Sequence, residues 1–286
     1  MSMLKCIRFR IIVFSEISLI TCFAIQKIWQ FQGKGEGLLN ITNKKNKHEK
    51  FLPVQLVVAA LNEESGIGPT LTEFLDSFDY PRVLVVDGHS RDRTVEIAKN
   101  LGADIAFQDS MGKGNAIAKA LEHLDLDVKY VVLTDADHTY PGEYVPEMID
   151  ILERNPDVGM VCGDRFSGKV DVGAVRGSFY FGNRLLAFAH SVFNGVCLRD
   201  PLTGLRVIRA DVLRDWAVKS QGFDIEVELN LLVERRGYRT VEVPIRYRER
   251  LGEKKLKVRH GVTILKRILQ EAPQFKKAVE KPASDI

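Results

Sequence analysis

Two aspartates one residue apart, Asp135 and Asp137, stand in T-D-A-D-H-T directly after the apolar run Tyr130-Val131-Val132-Leu133. Side chains alternate faces along a strand, so residues two apart point the same way. Paired carboxylates at the end of a buried strand suit a divalent metal that in turn holds phosphates. The competing reading is a solvated turn, where Asp is common. Further acids, one asparagine and one lysine recur at similar places: Asn62, Glu63 and Glu64 in A-L-N-E-E, Asp87 in D-G-H-S-R-D, and Lys113 in G-K-G-N. Acids for base, ribose and metal, with Lys113 near phosphate, are the residue types that hold a sugar nucleotide. Each alone also fits a cap or turn. No G-x-G-x-x-G follows the first strand and no Walker pattern is present, which disfavours a dinucleotide cofactor.

The elements that position these residues alternate. Apolar runs at 54–59, 83–86, 104–107, 130–133 and 158–161 read as strands, and helical patterns fall between them. Ser90 is placed to cap the helix through Val95, Ile97, Ala98 and Leu101. This order predicts an α/β fold, a mostly parallel sheet with helices on both faces. Ligands of such sheets bind outside the strand carboxyl ends, where the polar loops converge.

The second half changes character. Gly177 to Val196 is rich in Phe, Leu and Val with Arg184 its one charge. It reads as a buried core helix or as an apolar surface for a greasy substrate or membrane. A helix from about residue 224 bears Asp224, Glu226 and Glu228, and a strand over 241–245 leads to the basic R-Y-R-E-R-L-G-E-K-K-L-K at 246–257. Residues 259–275 are helical, with Val262, Leu265, Ile268 and Leu269 on one face and Lys266, Arg267, Lys276 and Lys277 elsewhere. This is a basic amphipathic helix, suited to a membrane surface or to packing with a solvated basic side.

The chain has 286 residues, 45% hydrophobic, with a net charge of +3, too small to imply nucleic acid by itself. Cys6, Cys22, Cys162 and Cys197 show no zinc spacing and read as reduced thiols. Residues 1–50 read as an extension: a basic start, an apolar 11–28 interrupted by Glu16, and a Gly- and Lys-rich linker at 33–50. A marginal anchor, an interfacial helix and a segment with no structural role are all open. After residue 50 no stretch is long and apolar enough to span a bilayer.

In order, A-A-L-N-E-E, V-V-D-G-H-S-R-D, G-K-G-N-A, D-A-D, G-D-R-F, D-P-L-T-G and Y-R-E-R-L-G-E-K-K-L resemble the motifs of family 2 glycosyltransferases. More narrowly they are similar to dolichyl-phosphate and polyprenyl-phosphate sugar synthases, over about residues 53–270. The resemblance implies a GT-A domain over 51–286, with a nucleotide-sugar half at about 53–165 and an acceptor half at about 166–275. It implies inverting transfer of a hexose or N-acetylhexosamine to a lipid phosphate, feeding protein glycosylation or glycan assembly. The enzyme would lie on the cytoplasmic side of the membrane, peripheral or weakly anchored. Glu64 and Asp87 would hold the nucleoside, with Ala60, Asn62 and Lys113 completing the donor site. Asp135 and Asp137 would bind Mg²⁺ or Mn²⁺ on the diphosphate. Arg165, Arg176, Arg250 and Lys254 would meet the acceptor phosphate, and Glu226 or Glu228 matches the family's acid on its late helix.

Three departures stand out. Thr139 replaces a common Gln, Lys254 replaces the Ser of G-E-S-K, and many members carry carboxy-terminal transmembrane helices. The donor stays open among GDP-mannose, UDP-glucose and UDP-N-acetylglucosamine. A glycosyltransferase with a soluble acceptor and a sugar-phosphate nucleotidyltransferase are the rival readings.

Overall fold

Val54, Leu56 and Val58 of the first strand face one apolar layer, and Val57 faces another. A strand buried on both sides must read as a continuous apolar run, and V-Q-L-V-V-A-A does. The computed structural model describes residues 53–79, 82–171, 177–253, 255 and 258–279. Leu52–Ile286 groups as one compact unit. The strands are β1 (Val54–Ala60), β2 (Arg82–Asp87), β3 (Asp104–Phe107), β4 (Tyr130–Asp135), β5 (Val158–Asp164), β6 (Arg206–Arg209) and β7 (Arg239–Pro244). The helices are α1 (Glu64–Ser77), α2 (Thr94–Asn100), α3 (Lys113–Leu121), α4 (Val145–Arg154, after a 3₁₀ turn at Gly142–Tyr144), α5 (Gly177–Asn194), α6 (Ala210–Leu213), α7 (Ile225–Arg235) and α8 (Val258–Val279).

The sheet order is β3-β2-β1-β4-β6-β5-β7, with β6 antiparallel to both neighbours and the other pairs parallel. One apolar layer joins the sheet to Ile67, Leu71 and Phe74 of α1 and to Met148 and Leu152 of α4. The other joins it to Ala116, Ile117 and Ala120 of α3 and to Ile225, Leu229 and Val233 of α7. The predicted mostly parallel sheet with helices on both faces is therefore what forms. A third cluster packs Ala189 of α5 and Ile264 and Ile268 of α8 against Val227 and Leu231 of α7.

The chain leaves β1 toward β2 on one side and returns to β4 on the other. Between β1 and β4 lies the crevice that such a reversal of strand order opens. Ala60 pairs with Asp87 in register, and Ala59 with Asp135, so these residues share that edge.

Two expectations are corrected. Ser90 does not cap the following helix, which begins at Thr94. Its hydroxyl donates to Asp87, and Asp92 accepts the Thr94 N–H instead. On α8, Val262, Leu265 and Leu269 do not share a face with Ile268. They are exposed, while Ile264 and Ile268 are buried. The reason is that α8 docks through its Ile268 carbonyl to Asn194, through Arg267 to Asp224 and through Glu271 to Arg235. α5 is neither wholly buried nor wholly exposed. Asn183, Ala187, His190 and Asn194 are buried, whereas Phe181, Leu185, Phe188 and Val192 are exposed. Cys162 is buried and Cys197 exposed, both as free thiols. The readings of residues 1–50 lie outside the described residues.

Candidate active site

A cavity of about 820 Å³ opens at the β1/β4 edge. Asp135 and Asp137 both line it, so the carboxylates do converge. Asp135 contacts the Lys113 ammonium at 2.7 Å. Asp137 is buried, accepts hydrogen bonds from the Thr139 N–H (3.2 Å) and hydroxyl (2.6 Å), and lies 3.3 Å from Arg250. Burial, then the neighbouring Asp135 charge, push the Asp137 carboxyl up against the opposing pull of Arg250 and Thr139. The turn is braced from beneath by α1, where the Thr70 hydroxyl accepts the His138 N–H at 3.0 Å. Gly66 lies so near the Ala136 carbonyl that any side chain there would collide with it.

Lys113 reaches the acids because its flanking glycines let backbone approach backbone. Gly114 and Asn115 donate their N–H groups to the Gln221 carbonyl at 3.0 and 3.3 Å. A Cβ on Gly112 or Gly114 would overlap the carbonyl oxygens of Gln221 or Ser220. Burial opposes the charge on Lys113, but Asp135 and Glu226 (2.8 Å) more than offset it and hold the ammonium above the usual lysine range. Glu226 lines the cavity, with Oε2 buried and unpartnered. Glu228 turns away. Its carboxylate accepts N–H groups from Trp216 (3.2 Å), Lys219 (2.9 Å) and Ser220 (2.7 Å). Of Glu226 and Glu228, only Glu226 lines the cavity; Glu228 shapes the loop that presses on the G-K-G turn.

A basic strap crosses the cavity. Arg248 and Leu251 donate backbone N–H groups to the carbonyls of Thr139 (3.1 Å) and Asp137 (3.0 Å). This seats Arg250 2.5 Å from Glu63 and brings Lys255 onto the same Glu63 oxygen. Lys255 also donates to the Asn62 carbonyl at 3.0 Å. Arg248 is tied by both arms to Glu73, at 2.5 and 2.8 Å. Burial pushes the Glu63 carboxyl up, opposed by Lys255 and Arg250.

Other residues of the sequence reading sit elsewhere. Arg165 lines the cavity wall, but its fork is held by Asp200 at 2.6 and 2.7 Å and its face by the rings of Phe166, Phe179 and Tyr247. It stiffens the wall and is not a free cation for phosphate. Asp87 is fully buried and gives both oxygens to Ser90, at 2.7 and 2.6 Å. Asn62 accepts the Arg91 N–H and Glu64 the Arg93 N–H. Asn62 and Glu64 stitch the loop after β1 to the loop after β2, and Asp87 holds Ser90, whose hydroxyl accepts the Asn62 N–H; none of the three lines the cavity, and Ala60 does. Arg176 and Lys254 lie outside the described residues. Glu63, a candidate by its place in A-L-N-E-E, lines the cavity, as do Gln108, Tyr140, Tyr247 and Lys255, which the sequence reading did not assign. The G-E-K-K motif held the signal for Lys255, one position from Lys254.

Among the described residues no three His, Cys, Asp or Glu side chains group to hold a metal unaided. The donor set does fit a hard divalent cation that a diphosphate also ligates: two facing carboxylates, one with a raised pKa, beside an unpartnered Glu226 oxygen.

This geometry has close company. The model of glycosyl transferase family 2 matches residues 55–216. The chain is 37% identical over 211 residues to the dolichyl-phosphate hexose transferase of Haloferax volcanii, covering 72% of this chain and 87% of that one. It is 30% identical over 219 residues to the undecaprenyl-phosphate mannosyltransferase of Micrococcus luteus, covering 71% and 87%. The fold matches glucosyl-3-phosphoglycerate synthase of Mycobacterium tuberculosis in complex with Mn²⁺, uridine diphosphate and glucosyl-3-phosphoglycerate. That match has a TM-score of 0.62 over 78% of this chain and 80% of that one, at 19% identity. The chain belongs to glycosyl transferase family 2, with the GT-A fold, and is a glycosyltransferase.

Proposed function

We propose that this glycosyltransferase moves a hexose or N-acetylhexosamine from a nucleotide sugar to the phosphate of a dolichyl or polyprenyl lipid. The observation that carries the reading is one cavity in which Asp135 and Asp137 face the cations of a basic strap, Arg250 and Lys255. The names of the two relatives above, a dolichyl-phosphate and an undecaprenyl-phosphate enzyme, support it.

Asp135 and Asp137 are the proposed holders of Mg²⁺ or Mn²⁺. Such an ion neutralises charge on a departing nucleoside diphosphate. Thr139, in the place of a common Gln, fixes the Asp137 rotamer through its hydroxyl. Lys113 stands between Asp135 and Glu226, and in this reading it turns toward donor phosphate while Glu226 keeps it in reach. The nucleoside then lies along the β1 edge, by Ala60 and Gln108. Asn62, Glu64 and Asp87 set the shape of that edge from behind.

A phosphate monoester has a second pKa of about 6 and is its own nucleophile near neutrality. The chain therefore needs to orient it and not to deprotonate it. The Arg250 fork suits phosphate geometry, and Lys255 adds a point charge. Arg176 and Lys254 join this acceptor set on sequence grounds. Glu226 stays in the catalytic set through Lys113, and Glu228 acts only through the loop it holds. The acceptor half of the domain is then the strap with α5 and α8, and the enzyme works peripherally at the cytoplasmic leaflet.

Titration of uridine and guanosine diphosphate by calorimetry tests the donor half of this account. One nucleotide is expected to bind with Mn²⁺ present, and to lose that metal dependence in Asp137→Asn. Binding that ignores both the metal and the substitution would remove the role of the paired acids.

A further inference from the structure

Three arginines that line the cavity meet a carboxylate, and they meet it differently. Arg165 gives Asp200 both edges of its fork, at 2.6 and 2.7 Å, and Arg248 gives Glu73 both arms, at 2.5 and 2.8 Å. Such bidentate pairs are closed to other anions. Arg250 reaches Glu63 through Nη2 alone, at 2.5 Å, and among the described residues its buried Nε has no partner. Glu63 answers with one oxygen. Its Oε1 takes both Arg250 and Lys255, while Oε2 is buried and unpartnered. Unpaired buried polar atoms are costly, so an ion pair that keeps two of them yields readily to an anion that satisfies them.

The charges balance as well. Asp137, 3.3 Å from Arg250, is the second acid of the cluster. Two carboxylates face two cations, a formal sum of zero, and none of the four side chains is more than 28% exposed. An anion that approaches Arg250 and Lys255 therefore meets Glu63 too, and like charges in a partly dry site repel strongly.

Glu63 can turn aside without unravelling its element. The Thr94 hydroxyl accepts its backbone N–H at 2.8 Å, and its carbonyl accepts the N–H groups of Gly66 and Ile67. The main chain stays fixed while the side chain moves. The strap passes the carboxylate at Gly252, which is left-handed at φ 88°. A Cβ there would stand 3.3 Å from Oε2, so the missing side chain leaves room for the turn.

We infer that Glu63 is a resident counter-ion of the acceptor subsite, and that a phosphate monoester dianion takes its place on Arg250 and Lys255. Glu63 then sets which acceptors enter. A dianion with three oxygens displaces one carboxylate from two cations, whereas a monoanion or a neutral hydroxyl does not. This role rests on the acceptor phosphate proposed above. It fits the phosphate of a lipid and that of a soluble monoester alike.

The test compares the full chain with Glu63→Gln, which keeps the shape and removes the charge, and with Glu63→Asp, which keeps the charge. Calorimetry at about pH 8, above the second phosphate pKa, measures geranyl phosphate, its monoanionic monomethyl ester, and uridine and guanosine diphosphate. Glu63→Gln is expected to bind geranyl phosphate about tenfold tighter than the wild type, as loss of one charge-assisted contact to a rival implies, and to gain the monomethyl ester. Glu63→Asp keeps the preference for the dianion. The wild-type chain alone is expected to bind the dianion about tenfold tighter than the monoanion, and equal affinities overturn the inference whatever the variants do. Weaker or unchanged phosphate binding in Glu63→Gln overturns it, because Glu63 would then only hold the cations in place. Loss of nucleotide affinity with no gain for phosphate overturns it in favour of a donor role. Transfer to geranyl phosphate and to glycerol 3-phosphate tells the lipid source from the soluble one. Phosphate binding is read without any sugar donor, so failure of every lipid acceptor would refute the proposed function and leave the counter-ion result standing.

Discussion

Lys113→Met removes the one cation that Asp135 and Glu226 share. The ammonium lies 2.7 and 2.8 Å from them, and the three side chains are 14%, 30% and 7% exposed. Removing one partner of a buried pair costs about 3–5 kcal/mol, because the remaining charge is left unpaired. Water can return to Asp135 but hardly to Glu226, which places the cost near the lower end, about 3 kcal/mol. At about 2–4 °C per kcal/mol for a domain of this size, the variant melts roughly 6–12 °C below the wild type. Lys113 also competes with any divalent ion for Asp135. With it gone, Mn²⁺ meets Asp135 and Glu226 without their counter-charge, and linkage predicts a larger Mn²⁺-induced rise in Tm than in the wild type. Scanning fluorimetry with and without MnCl₂ measures both effects. A variant that melts with the wild type, or one with no larger Mn²⁺ shift, would refute the shared-cation reasoning.

Three other perturbations follow from the same contacts. Burial pushes the Glu242 carboxyl from the usual 4.5 up to about 7, against the pull of the Arg199 and Asp200 N–H groups. The folded chain then keeps a proton that the unfolded chain releases, so stability falls as pH rises from about 4.5 to about 7, by about 3 kcal/mol. Glu242→Gln removes most of that swing in urea melts at about pH 5 and about pH 8; an undiminished swing would place it on another group. Gly114→Ala drives a methyl into the Ser220 carbonyl and shifts the start of α3, costing roughly 1–3 kcal/mol and weakening nucleotide diphosphate binding. Unaltered melting and binding would show that the loop yields freely. Asp200→Ala strands the buried Arg165 at a cost of about 3–5 kcal/mol in denaturant titration, while Asp200→Asn costs less. Equal, small losses would mean that Arg165 finds water.

How far the chain could be read in advance depended on the reach of each interaction. The strand ends bearing Asp135 and Asp137, and the glycines around Lys113, were legible because periodicity and glycine chemistry are local. Glu63 and Glu64 look alike in a sequence. The left-handed backbone at Asn62 (φ 48°) sets the turn before them, and one is buried while the other is exposed. Glu226 and Glu228 are two apart on a helix, about 200° around its axis, so one alone can face a cavity, but the composition does not say which. Arg165 was placed at phosphate by the resemblance, and its pairing with Asp200, 35 positions away, is not visible in the sequence. Val262, Leu265, Ile268 and Leu269 read as one face of α8 because all four are apolar. Contacts from Asn194 and Asp224, remote in sequence, turn Ile264 and Ile268 inward instead.

The central claim is transfer of a sugar to a lipid phosphate, and organic extraction tests it most directly. Purified enzyme is incubated with Mg²⁺, a polyprenyl phosphate and labelled GDP-mannose, UDP-glucose or UDP-N-acetylglucosamine in turn. The account predicts that label enters the organic phase from one donor and that Asp137→Asn abolishes the transfer. Label that stays in water with every donor, while the chain still binds a nucleotide sugar, would contradict it and point to a soluble acceptor.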